Sequence, residues 1–184
     1  MGSEMCIRDS YYIRIVVNAR YEMSKTQVGL IMGSQSDWST MKEAADVLSQ
    51  LNITYEKKIV SAHRTPKRIW EYGESAEKKG LQVLIAGAGG AAHLPGMIAS
   101  KLNLPVVGVP VKTSSLNGID SLYSILQMPR GYPVATMAIG AQGAANGGLL
   151  AAQIIALSDP KLSKRLSDWR VALSASVPHE PKNE

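Results

Sequence analysis

The chain has one cysteine, Cys6, and no phenylalanine. A single cysteine supplies neither an intrachain disulfide nor a cysteine-based metal site. Such cysteine usage suits a reducing compartment, and the expected location is cytoplasmic. The three histidines, His63, His93 and His179, have no histidine or cysteine partner at metal-ligand spacing, so no metal is expected. A Walker A motif is missing, which argues against ATP use, and no G-x-S-x-G turn offers a nucleophilic serine. No run approaches 18 uninterrupted apolar residues, so no membrane helix is expected. Lys and Arg exceed Asp and Glu by 20 to 15, yet they are scattered. The longest basic pairs are Lys57-Lys58 and Lys78-Lys79, and nothing forms a nucleic-acid stripe.

What is present is an ordinary globular balance, 45% hydrophobic and 19% charged over 184 residues. That length suits one α/β domain. The first 25 residues do not read like the rest. Met5 to Ser10 resembles an adapter sequence translated in frame, and the leader 1–25 is expected to be non-native or disordered. A signal peptide fits poorly, because Arg14 breaks the apolar run Tyr11–Val17 and no A-x-A site follows. The domain is expected over 26–173, with a flexible tail over 174–184.

Short apolar runs at 27–32, 54–60, 82–86, 105–109 and 134–139 read as strands. Helical spacing separates them, over 38–51, 66–79, 95–102 and 119–127. Thr40 and Glu43 offer a capping box for the first helix, with a start two or three residues earlier as the alternative. Strand and helix alternate, which predicts a three-layer αβα sandwich around a parallel sheet. The segment 143–157 is apolar nearly all round, predicting a buried helix at a subunit interface. The segment 160–173 is amphipathic, with Leu162, Leu166, Trp169 and Leu173 on one face.

Ligands of open parallel sheets bind at the carboxyl ends of the strands. Three loops there have unusual composition. Gly33-Ser34-Gln35-Ser36-Asp37-Trp38 pairs a tight turn with hydroxyls that suit a phosphate. Asp37 would repel a phosphate but suits a ribose hydroxyl or an amine; alternatively Ser36 or Asp37 only caps the helix. Ser61-Ala62-His63-Arg64-Thr65-Pro66 groups a titratable ring, a permanent cation and two hydroxyls. His63 is a candidate acid and base, or a loop histidine that only packs. Gly87 to Pro95 contains G-x-G-x-x-A, but it follows the third strand and lacks the acidic residue about 20 positions on. His93 is a second acid/base candidate or a wall residue.

Six blocks in order, GSQSDW (33–38), SAHRTP (61–66), AGAGGAAHLPG (86–96), GVPV (108–111), SLYSILQMPRG (121–131) and AIGAQGAANGGLLAAQI (138–154), resemble the bacterial-type N5-carboxyaminoimidazole ribonucleotide mutases. The resemblance runs from about Gln27 to Arg170. It implies a flavodoxin-like fold, a homo-octamer, a small ribonucleotide substrate and no cofactor. It implies a mutase of purine (IMP) biosynthesis that moves a carboxylate from the exocyclic nitrogen to ring carbon C4. By the motif match, His63 is the general acid and base. Ser34, Asp37 and Arg64 bind substrate, while Ser36, Ser61, Gly89, Gly90, His93 and Leu94 line the pocket. Arg64 is expected at the phosphate and Asp37 at the ribose, with loop 110–118 as a lid hinged at Gly118. A related family carboxylates the unsubstituted ribonucleotide directly and carries Lys-Gly where this chain has Arg64-Thr65. That direct carboxylase, a non-catalytic nucleotide-binding domain and a dinucleotide oxidoreductase are the alternatives.

Overall fold

A computed structural model describes residues 26–181. The leader 1–25, with Cys6, lies outside them. The strands are β1 (Val28–Met32), β2 (Tyr55–Ile59), β3 (Val83–Gly89), β4 (Val106–Val111) and β5 (Ala135–Thr136). The helices are α1 (Trp38–Gln50), α2 (Pro66–Ala76), α3 (Leu94–Ala99), α4 (Ile119–Leu126), α5 (Ala141–Ala156) and α6 (Pro160–Ser176). All strand pairs are parallel, in the order β2-β1-β3-β4-β5. That is the flavodoxin-like order of a doubly wound sheet.

Side chains alternate across the sheet and feed two cores. Leu30, Ile85, Val107 and Val109 pack against α1, α5 and α6, through Leu48, Ala144, Ala151 and Leu162. Ile31, Leu84, Ala86 and Val106 pack against α2, α3 and α4, through Ile69, Ile98 and Ile125. A sheet covered on both faces needs continuous apolar strands, and β1, β3 and β4 supply them. β2 is the exception. It is an edge strand whose Lys57 and Lys58 reach solvent, and Arg68 donates from Nη1 to the Ile59 carbonyl at 3.0 Å.

The structure moves several expected boundaries. β3 runs three residues past 86, because Gly87 packs like a strand residue: a Cβ there would strike the Met41 side chain of α1. β5 shrinks to two residues, after which Met137 and Gly140 donate singly to the carbonyls of Gly108 and Pro110. α1 starts at Trp38 after a 3-10 turn over Gln35–Asp37, so Thr40 and Glu43 form no capping box. Pro110 and Val111 are buried in β4, which leaves only 112–118 as loop. Gly118 holds φ +92 and packs against Ile139, so that glycine fixes the entry to α4. α6 runs three residues past 173, and Leu173 lies half exposed, off the packed face.

α5 buries one face only, built from Gly143, Ala144, Gly147, Gly148, Ala151, Ala152 and Ile155. In a single chain Leu149, Leu150 and Ile154 are half-buried, and Leu157 is exposed. The small residues bring α5 close to its neighbours, since a Cβ on Gly148 would sit 3.0 Å from the Ala44 carbonyl oxygen. At Gly143 a Cβ would fall on the Ala138 carbonyl, which is backbone and cannot swing away. Gly143→Ala is therefore expected to cost about 3 kcal/mol, read as a lower urea midpoint at unchanged slope.

Candidate active site

Four strand ends deliver their loops to one edge of the sheet. β1 ends in Gly33, whose N–H donates to the Gly87 carbonyl at 3.2 Å and so ties the first loop to β3. Ser34 then caps the 3-10 turn. Its Oγ accepts from the Ser36 N–H at 3.2 Å and lies 2.8 Å from the Ser36 hydroxyl. The turn carries Asp37 inward, where only 7% of it is exposed. Burial pushes its carboxyl above the ordinary value of 3.8. Hydrogen bonds from Ser34, Gly33 and Ser36, and the Arg64 charge, pull the other way without cancelling it.

After β2, Thr65 closes a turn by donating from its backbone N–H and its hydroxyl to the Ser61 carbonyl, at 3.0 and 2.9 Å. That turn presents His63 and Arg64. Arg64 reaches across to β1, with Nη2 donating to the Gly33 carbonyl at 2.8 Å and Nε to Ser61 Oγ at 3.1 Å. Its Nη1 and the second Nη2 hydrogen remain for a ligand. His63 leans towards β3. Its Nε2 lies 2.8 Å from His93 Nδ1, with the rings edge-on at 4.8 Å between centroids. A contact that short holds one shared proton, so one ring donates and the other accepts.

The loop after β3 turns at Gly90, whose φ of +68 favours glycine. The Gly90 N–H donates to Ser121 Oγ at 2.9 Å, and Ser121, fully buried, passes its own proton to the Val111 carbonyl at 2.7 Å. Beyond β4, Thr113 donates to the Asp120 carboxylate at 2.8 Å and receives the Gly118 N–H at 3.3 Å, which organises the loop into α4.

These loops enclose a cavity of about 520 Å³. Ser34, Ser36, Asp37, Ser61, His63, Arg64, Gly89, Gly90, His93 and Leu94 all line it. The cavity opens between β1 and β3, where the strand order reverses, which is the switch point at which doubly wound sheets bind ligands. Lys112, Thr113 and Ser114 line it too; reading the sequence placed them in a lid loop without naming any of them as a wall residue, and it missed Ser121 as the tie between the third and fourth loops. Their position one to three residues beyond a parallel strand is the signal that points to the first three. A second cleft of about 530 Å³, mostly apolar, includes Gln35, Trp38, Lys57 and Arg68 beside the β2 edge. Among the described residues no three His, Cys, Asp or Glu side chains group to hold a metal, and no helix is long and apolar enough to cross a membrane.

A doubly wound sheet with hydroxyls, a guanidinium and paired imidazoles at its switch point defines an α/β protein whose cavity suits a small, polar, anionic ligand. Residues 27–176 match the AIR carboxylase family. The chain is 57% identical over 155 residues to the N5-carboxyaminoimidazole ribonucleotide mutase of Escherichia coli (strain K12), spanning 84% of this chain and 92% of that one. It is 62% identical over 143 residues to the Bacillus subtilis (strain 168) protein of the same name, spanning 78% and 88%. The crystal structure of Treponema denticola PurE matches with a TM-score of 0.72 at 27% identity, covering 81% of this chain and 92% of that chain. The chain belongs to the AIR carboxylase family.

The raised Asp37 value has a thermodynamic sign. The protonated carboxyl favours the fold below about pH 3.8, and that contribution is lost as pH rises through the higher folded-state value. Asp37→Asn removes the penalty of burying the charge. The variant is expected to melt higher than the unsubstituted protein at pH 7, with the gap closing towards pH 4. A variant that melts lower at pH 7 and equally at pH 4 would show that the buried charge is net stabilising.

Proposed function

We propose that the chain isomerises N5-carboxyaminoimidazole ribonucleotide to 4-carboxy-5-aminoimidazole ribonucleotide, in purine (IMP) biosynthesis. The observation that carries this reading is the 2.8 Å pairing of His63 with His93 inside a cavity that also holds Arg64 and Asp37. The high identity to curated mutases over more than three quarters of the chain supports the substrate.

The reaction needs one group that gives a proton and takes one back. Protonated His63 delivers its proton to the carbamate nitrogen as the N–C bond breaks, releasing carbon dioxide. The ring carbon C4 then attacks carbon dioxide. Neutral His63 removes the C4 proton and is restored to its starting form, so atoms and charges balance. His93 sets which nitrogen does this. With His93 Nδ1 as acceptor, His63 keeps its Nε2 proton throughout, which leaves Nδ1 as the nitrogen that exchanges the proton with the ligand. Arg64, already oriented by Gly33 and Ser61, meets the phosphate from its free edge, and Asp37 accepts from the ribose hydroxyls. Carbon dioxide must be held between the two steps, which requires a closed pocket. The 112–118 loop and neighbouring subunits of a homo-octamer supply that closure in this reading. The half-buried Leu149, Leu150 and Ile154 of α5 support self-association. A cytoplasmic location belongs to the same reading. These steps call on no metal, ATP or organic cofactor.

The test is an assay with the carbamate substrate, without ATP and with a chelator present. The protein is expected to isomerise it, and His63→Asn is expected to lower kcat by about 10²- to 10⁴-fold. Turnover of unsubstituted aminoimidazole ribonucleotide with bicarbonate, and none of the carbamate, would assign the direct carboxylase instead. Failure with both substrates would leave a nucleotide-binding domain.

A further inference from the structure

The cavity wall carries two side-chain cations besides its histidines, and the mutase reading so far uses one. Arg64 follows β2, and Lys112 follows β4. In the order β2-β1-β3-β4 their strands are separated by three steps of about 4.8 Å, or roughly 14 Å at the backbone. Arg64 reaches one strand inward, with Nη2 on the Gly33 carbonyl after β1, so the two charges stand on different flanks of the pocket, Arg64 over β1 and Lys112 beyond β4. Their surroundings differ as well. Arg64 stands beside the Asp37 carboxylate, which offsets it, and spends two donors on Gly33 and Ser61. Among the described residues both are exposed and neither joins an ion pair, but no hydrogen bond engages the Lys112 ammonium.

The ends also differ in the ligand chemistry they suit. The Arg64 end has the Ser34 and Ser36 hydroxyls, suited to a phosphate. The Lys112 end has the bare backbone of Gly89 and Gly90 with the apolar walls Leu94 and Val111, suited to a flat ring. His63 is drawn towards this second end by its contact with His93. A ribonucleotide laid with its phosphate at Arg64 brings its imidazole to His63, and brings the carboxylate borne by that ring to Lys112.

Resting on the mutase reading, we infer that Lys112 is a substrate-binding residue whose ammonium holds the carboxylate carried by the imidazole, both before and after its migration. The substrate and the product are both anionic at this end, whereas carbon dioxide between them is neutral. The bond-breaking and bond-forming transition states on either side of it still carry most of the carboxylate charge, so the cation holds substrate and transition state about equally and its removal acts on KM rather than kcat.

The experiment compares Lys112→Gln and Lys112→Arg with the unsubstituted protein in the carbamate assay. It also measures inhibition by aminoimidazole ribonucleotide, which has the phosphate and ring but no carboxylate. Lys112→Gln is expected to raise KM about tenfold with kcat within about twofold, Lys112→Arg to restore most of it, and inhibition by the uncarboxylated nucleotide to stay the same in all three. An unchanged KM in Lys112→Gln overturns the inference. Equal weakening of the uncarboxylated nucleotide overturns it too, since Lys112 would then serve the phosphate. A fall in kcat that Lys112→Arg does not restore overturns the binding role. If the unsubstituted protein does not isomerise the carbamate at all, the mutase reading itself fails, which is a separate result.

Discussion

The site depends on the central parallel pairing of β1 with β3, Val28 to Val83 through Met32 to Gly87. In a parallel ladder every strand ends at the same edge, so loops far apart in sequence are delivered side by side. The Gly33 N–H continues the ladder one step onto the Gly87 carbonyl, and both flanking loops take their positions from it. Arg64 is fastened to the carbonyl of that same Gly33, and His63 is fastened to His93 beyond β3. Loosening β1 from β3 would therefore part His93 from His63 and Arg64, which travel together on the loop after β2, without touching any of the three. The burial of β1 and β3 under helices on both faces is what holds these side chains in place.

Electrostatics and packing pull in different directions at this edge. A buried carboxylate at Asp37 sits above its ordinary ionisation range, which is a cost to the fold. That cost has a functional counterpart if the carboxylate is to accept from ribose hydroxyls in a pocket otherwise suited to anions. The Arg64 charge lowers that cost, after the hydrogen bonds from Ser34, Gly33 and Ser36. The hydroxyls of Ser34 and Ser36 are neutral and carry no such conflict. The pocket thus combines a corner near β1 and β2, where the Arg64 cation stands near a buried carboxyl, with a second cation at Lys112.

The layered fold was legible because β1, β3 and β4 are apolar throughout, the mark of strands covered on both faces. β2 was legible despite Lys57 and Lys58, since its neighbours fixed the alternation. Boundaries were harder where glycine carries two meanings. Gly87 looked like ligand-binding loop and proved to be strand, because what it makes room for is Met41, a residue 46 positions away that no local pattern reports. Leu173 had the right spacing for a packed face, but α6 has already left the domain by that point. In the site, composition singled out His63 and Arg64 as candidates, and the order of six blocks gave them roles; only the fold shows His63 meeting His93, 30 residues on. Ser121 was invisible as a functional position, because a serine inside a helix bears no mark of the Gly90 amide that it holds.

The central claim is that one pocket at the β1/β3 switch point binds the ribonucleotide with its phosphate towards Arg64 and its ring at His63. The most direct test is a crystal structure with the stable product, 4-carboxy-5-aminoimidazole ribonucleotide. The account predicts density between the 33–37, 61–64 and 88–94 loops, with the ring carboxylate facing Lys112. Density in the cleft beside Trp38, Lys57 and Arg68, or the nucleotide lying the other way round in the pocket, would contradict it.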